Sequence, residues 1–309
     1  MPAAILFSVA CLVWLLHGVD RGALAAGLRG VDLGWLAVAV ALAWLVPFWR
    51  AARLRRLLPA ATAVAPGACW RIVAEALLWA FVLPFKLGEL SLPVLLHRRL
   101  RIGPAAAAGL FLLVRLADLL VLLGFLALGL AASPLLPERP VLRGLAWGAG
   151  AVLAFGPVLL VLVGAALGPA LQARLPWLAA ALVGVRQARS PGGLIALTLT
   201  TWGIWATHLA LAAAAVLAAS ATAGPAAILL ASAAGNLAFA LPVTGALGLG
   251  PQQVAFATAL DLGGVGWEMA VLAALATYVA VLVAALTAGV AAWLWGALLP
   301  RAPSNAAKR

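Results

Sequence analysis

In a chain where 66% of the residues are hydrophobic and only 9% are charged, charges inside apolar stretches are the first candidates for chemistry. They gather between positions 71 and 118. Arg71 and Glu75 lie four residues apart, close enough to pair on one helix face. Lys86 and Glu89 fall in LPFKLGELSLP, between Pro84 and Pro93 and beside Gly88. Arg115 and Asp118 lie three residues apart, with the same consequence as the first pair. A charge at membrane depth costs about 2.5–3.5 kcal/mol on an insertion scale. Two readings follow. The pairs neutralise one another and lock helices together, or they line a polar cavity that binds an ionic headgroup. Glu89 and Asp118 have the chemistry for acid–base work. A catalytic reading also wants a nucleophile with its base, a metal or a nucleotide site. There is no GxGxxG before a helix, no P-loop and no GxSxG, and His17, His97 and His208 have no metal-binding spacing. No cofactor or metal is expected, and transport is favoured over catalysis.

These charges must be held by membrane segments. Soluble domains are typically about 45–50% apolar and about 25% charged. With a mean hydropathy of +1.16, this chain is predicted to be a single membrane domain over residues 1–300, with a polar cytoplasmic tail at 301–309. The net charge of +12 sits in short loops, which is how membrane proteins encode orientation. It does not indicate nucleic acid. It does favour anionic headgroups. Cys11 and Cys69 lie far apart in apolar stretches and read as small core residues. The tryptophans read as interface belts or core. Tyr278 reads as a core residue with a bonded hydroxyl. Residues 1–18 lack a basic leader and read as a first membrane helix.

Along the chain, helices are predicted over about 3–16, 33–49, 104–131, 145–167, 194–220 and 267–299. The run Arg50, Arg53, Arg55, Arg56 is predicted to be a solvated anchor at the interface, or else a collector of lipid phosphates. Residues 69–83 are too short to span comfortably. They break at Pro84–Glu89 and return from Leu90 to His97, Arg98, Arg99 and Arg101. That describes a re-entrant hairpin, since irregular backbone at depth is tolerated where it is buried or lines water. The pattern recurs. Residues 225–241 meet LPVTGALGLGP, with Pro242, Gly245, Gly248, Gly250 and Pro251, and return from Gln252 and Gln253. In both breaks the prolines stand nine positions apart. The polar residues of the second break (Asn236, Thr244, Gln252, Gln253) are neutral and suit capping or helix–helix hydrogen bonds.

The fold class predicted is therefore an all-α polytopic membrane protein. It has about six full transmembrane helices plus two re-entrant helical hairpins, as two inverted-topology repeats over about 1–132 and 141–300. With both termini cytoplasmic, the basic loops at 50–56, 98–101 and 174–189 and the tail fall inside. Only Arg21, Arg29, Arg139 and Arg143 fall outside. Hairpins that span fully would give the same charge distribution, so loop charge leaves their depth open.

LPFKLGELSLPVLLHRRLRIG, then LLVRLADLL at 112–120 and LPVTGALGLGPQQVAFATAL, resemble the membrane region of lysylphosphatidylglycerol synthases, over about residues 30–295. The family pattern P-x-(R/K)-x-G-E followed by R-x-x-D falls here on Pro84, Lys86, Gly88, Glu89, Arg115 and Asp118. Lysine stands at 86 where arginine is commoner, which keeps the charge and loses the bidentate fork. Gln252 and Gln253 stand where the family often has an acidic residue. The resemblance implies lipid translocation. The soluble aminoacyl-transferase domain is not in this sequence, so lipid aminoacylation is not expected. Relatives are linked to aminoacylated phospholipids, and some stand-alone members to hopanoid or polyprenyl lipids.

The expectation is a lipid flippase or flippase-like transporter of the inner membrane, passive or ion-coupled. Its partners are membrane lipids, anionic or zwitterionic, and a lipid synthase is a further candidate partner. The expected substrate-binding residues are Lys86, Glu89, Arg115, Asp118, Arg71, Glu75, Gln252 and Gln253. The alternatives are a membrane-embedded lipid-modifying transferase and an accessory subunit of a lipid synthase.

Overall fold

Long alanine- and leucine-rich runs can satisfy every backbone donor and acceptor within one helix, which is the requirement of an apolar solvent. The computed structural model describes residues 2–58, 62, 64–83, 87–136, 139–174, 182–240 and 245–298, and no strand occurs among them. In chain order the helices are α1 (Pro2–Leu16), α2 (Arg21–Arg29), α3 (Leu33–Leu57), α4 (Pro66–Val82), α5 (Ser91–Leu100), α6 (Pro104–Ala132), α7 (Pro140–Ala154) and α8 (Gly156–Arg174). Then come α9 (Val183–Ala188), α10 (Pro191–Ala218), α11 (Pro225–Ala240), α12 (Pro251–Leu262) and α13 (Trp267–Leu298). Short 3₁₀ turns at Leu87–Leu90 and Ala246–Gly248 precede α5 and α12.

Among the described residues, α3, α6, α10 and α13 are long and apolar enough to cross a membrane. Taking α7 with α8 as one bent span makes five. The first expected span, α1, has 15 residues, short of the usual ~20.

Three expectations about boundaries need correction. The second predicted helix does not stop at 49, and α3 carries Arg50, Arg53, Arg55 and Arg56 in helical register to Leu57. The helix predicted over 145–167 is broken at Phe155, where α7 and α8 bend by 66°. Pro157 explains the bend, because it removes a donor and its ring collides with the carbonyl four residues earlier. The loop before α3 contains α2, and its two aspartates act as caps. Asp20 accepts from the Gly22 N–H at 2.6 Å and Asp32 from the Gly34 N–H at 2.8 Å. Such caps are worth about 1 kcal/mol each.

The order of long helix, short helix, tip turn, short helix and long helix occurs twice. It runs from α3 to α6 and again from α10 to α13. The two leading helices lie antiparallel. The Asp32 N–H meets the Ala218 carbonyl at 2.9 Å at one end, and Arg53 meets Thr201 at 3.1 Å at the other. The short helices are exchanged, with α4 on α13 and α11 on α6. Both exchanges use a glycine as the contact, Gly289 against Leu78 and Gly129 against Leu230. Small residues allow this closeness where no hydrophobic effect drives helices together.

The first hairpin closes tightly. A side chain on Gly88 would overlap the backbone of Trp79 and Ala80, so the tip turn lies directly on the last turns of α4. Glu75 of α4 then pairs with Arg99 of α5 at 2.5 Å, which ties the returning helix to the outgoing one. Pro93 sits in the first turn of α5, where a missing N–H costs little. In the second tip Gly248 and Gly250 take φ of 75° and 151°, conformations that favour glycine. Gly245 is held against Ser8 of α1 and the Leu249 carbonyl, and Pro251 opens α12. Pro84, Lys86 and Pro242 lie outside the described residues.

Candidate functional site

One stripe of α3 sets the site. Ala43, Val46, Arg50, Arg53, Leu54 and Leu57 recur at helical spacing and all face a cavity of about 140 Å³. The facing walls come from α4, α5, α6, α10, α11, α12 and α13, and most of their contributions are apolar. The polar groups come from few places. They are Arg50 and Arg53 of α3, Glu89 of the first tip, Arg115 and Asp118 of α6, Trp205 and His208 of α10, Asn236 of α11 and Gln252 of α12.

The charges fall into three arrangements. The deepest is locked. Arg53 is 3% and Asp118 5% exposed. The two arginine Nη groups donate to the two carboxylate oxygens at 2.6 and 3.0 Å. The Trp205 Nε1–H donates to the same carboxylate at 3.2 Å, and Arg53 also donates to the Thr201 hydroxyl at 3.1 Å. A bidentate pair with its remaining lone pairs satisfied is the form in which buried charge is tolerated. The second arrangement is half-open. Arg115 reaches Glu89 at 3.0 Å with its side chain 36% exposed. Its guanidinium carbon stands 5.4 Å from the Phe111 ring centroid, and its Nε is buried without a hydrogen bond. The third is a cation alone. Arg50 makes no ion pair among the described residues, and its Nε is buried with no hydrogen-bond partner. Close by on the wall, the His208 ring lies against Trp205 with centroids 5.1 Å apart, and its buried Nε2 is also unpartnered.

Three guanidinium groups thus face two carboxylates among the described residues of the cavity. Of the sequence-predicted site residues, Glu89, Arg115, Asp118 and Gln252 line it. Arg71, Glu75 and Gln253 do not. The predicted Arg71–Glu75 pairing gives way to Glu75–Arg99, and the guanidinium of Arg71 lies against Gly296 of α13. Arg115 and Asp118 do not pair with each other, because each finds its partner on another element. Gln253 is 3% exposed and accepts from the Gly250 N–H at 2.7 Å, which closes the start of α12. Tyr278 does bond its hydroxyl, to the Leu247 carbonyl at 3.2 Å. The residues missed are Arg50, Arg53, Trp205, His208 and Asn236, the last of which was expected only to cap or to bond between helices. Among the described residues no three His, Cys, Asp or Glu side chains stand close enough to hold a metal ion.

Long apolar helices around a cavity that holds buried charge define a multi-pass membrane protein. The family model of the lysylphosphatidylglycerol synthase transmembrane region matches residues 2–289, nearly the whole chain. The chain belongs to that family, a membrane family of lipid handling. Comparison with curated proteins and with solved structures returned no match.

Proposed function

We propose that this protein moves a lipid with a charged headgroup, a phospholipid or a polyprenyl- or hopanoid-type lipid, across the inner membrane. The headgroup sits in the cavity between Arg50 and Arg115, and the tails follow the apolar wall. The observation that carries this reading is Arg50, a guanidinium inside the cavity with no carboxylate partner among the described residues. Leaving such a charge uncompensated costs several kcal/mol, and a phosphate is the natural partner of a guanidinium fork. Arg53 and Asp118 hold the wall in shape. Asp118 already accepts from three donors, which speaks against a transferase that would use it as a base.

The architecture we infer is a pair of inverted repeats with re-entrant hairpins and both termini in the cytoplasm. The antiparallel α3 and α10, the doubled element order and the exchanged short helices support it. Transporters built from inverted repeats place substrate where discontinuous helices meet. Here the counterpart phenylalanines Phe81 and Phe239, each three residues before the proline of a Leu-Pro break, have ring centroids 5.8 Å apart.

The test is lipid movement in vesicles. Tail-labelled phospholipids in the inner leaflet escape a membrane-impermeant quencher until they cross. Purified protein should raise the quenched fraction above that of protein-free vesicles, and Arg115→Gln should slow the rise. Equal quenching with and without protein, for every lipid class supplied, would remove the transporter reading.

A further inference from the structure

The polar groups of the cavity are divided by chemistry, and the division has a bearing on which headgroup fits. The first half of the chain supplies the ions, from α3, the first tip and α6. The second half supplies no carboxylate or guanidinium there among the described residues, only the indole of Trp205, the imidazole of His208 and the amides of Asn236 and Gln252, from α10, α11 and α12. We propose that the cavity selects a lipid in which the phosphodiester is followed by an uncharged, hydroxyl-bearing headgroup, such as glycerol or a sugar, and disfavours headgroups that end in an amine. This rests on the transporter reading above and sharpens its substrate.

A buried cation requires a carboxylate or a comparable acceptor. Both carboxylates among the described residues of the cavity are already engaged, Asp118 by Arg53 and Trp205, Glu89 by Arg115. Arg50 adds an unpaired positive charge beside them, and like charges brought together out of water repel strongly. An amine-bearing headgroup would thus arrive in a site whose surplus is already positive.

Hydroxyl groups have the opposite fit. Each both donates and accepts, and the wall of amides and imidazole offers both functions. Asn236 donates once to the Ser232 carbonyl at 2.8 Å, which leaves its amide oxygen and a second N–H. The buried His208 Nε2 has no partner. Gln252 brings a full amide from the first turn of α12. With the phosphate on Arg50 and Arg115, the group beyond it meets these three side chains.

The experiment compares tail-labelled phosphatidylglycerol, phosphatidylethanolamine, lysyl-phosphatidylglycerol and phosphatidic acid in vesicles containing the full-length protein. In parallel, native mass spectrometry measures which of the four the purified protein retains from an equal mixture. Phosphatidylglycerol is expected to move faster and be retained more than either amine lipid. Gln252→Leu and Asn236→Leu should each lower the ratio of phosphatidylglycerol to phosphatidic acid rates by about two- to tenfold, the worth of one lost hydrogen bond. Arg50→Gln should slow both. An equal or faster rate for phosphatidylethanolamine or lysyl-phosphatidylglycerol overturns the proposal, and so does an unchanged ratio in both leucine variants. If no lipid moves but phosphatidylglycerol is still retained over the amine lipids, the selectivity stands and the transport reading falls. If no lipid moves and retention is indiscriminate, both fall. Water-soluble glycerophosphate in the buffer should leave the lipid rates unchanged, and strong inhibition by it would assign the site to a free phosphoester.

Discussion

Replacing Asp118 with asparagine keeps the shape of the cavity wall and removes one charge. Arg53, 3% exposed, would then be a buried guanidinium beside a neutral amide. Removing one partner of a buried ion pair costs about 3–5 kcal/mol, because the other charge is left uncompensated. On the soluble-domain scale of about 2 °C per kcal/mol, the melting temperature should fall by roughly 6–10 °C. Unfolding of detergent-purified protein, followed by tryptophan fluorescence, reads this directly. The double variant Arg53→Met with Asp118→Leu removes both charges and restores an apolar wall. It should recover most of the loss. The remainder is the Trp205 N–H left without an acceptor, at about 1–3 kcal/mol. Thr201 keeps its bond to the Leu197 carbonyl at 2.7 Å. A cycle over the four proteins should therefore show strong coupling between the two positions. If Asp118→Asn melts within about 1 kcal/mol of wild type, or the double variant is no better than the single one, Arg53–Asp118 is not the structural lock described here.

Gly88→Ala should fail to accumulate as folded protein, measured by size-exclusion chromatography, because its new methyl would occupy the backbone of Trp79 and Ala80. Gln253→Leu leaves the buried Gly250 N–H without its acceptor and should lower thermal stability by about 1–3 kcal/mol, with selectivity among lipids unchanged. Glu75→Gln breaks the partly exposed pair with Arg99. Exposed pairs contribute about 0–1 kcal/mol, so the melting curve should barely shift.

The charged break and the charges of α6 were legible in the sequence because each is an anomaly in an apolar run. Glu89, Arg115 and Asp118 stand out by that criterion, and all three line the cavity. Their partners were not legible. Spacing of three or four residues suggested Arg71 with Glu75 and Arg115 with Asp118, whereas Arg99, Glu89 and Arg53 reach them from other helices. A local rule gives neighbours on one face, and the tertiary fold decides which neighbour wins. Arg50 and Arg53 were hidden for a different reason. They share a run with Arg55 and Arg56, which are exposed, and a basic run at a helix end reads as an interfacial anchor. The helical phase held the missing signal. Arg50, Arg53, Leu54 and Leu57 continue the stripe of Ala43 and Val46, while Arg55 and Arg56 turn away from it. The neighbouring pair Trp205 and His208, three residues apart on α10, was hidden because a lone histidine among apolar residues carries no spacing signal. The break at Phe155 could have been read from the Gly-Pro that follows it.

On the proposed function, a lipid headgroup occupies the cavity between Arg50 and Arg115. Photo-crosslinking with a phospholipid that carries its reactive group on the headgroup, followed by peptide mapping, tests it most directly. Adducts are predicted on the α3 and α6 peptides that hold Arg50 and Arg115, competed away by unlabelled phosphatidylglycerol and reduced in Arg50→Gln. Adducts confined to the bilayer-facing surfaces, equal in wild type and variant, would contradict it.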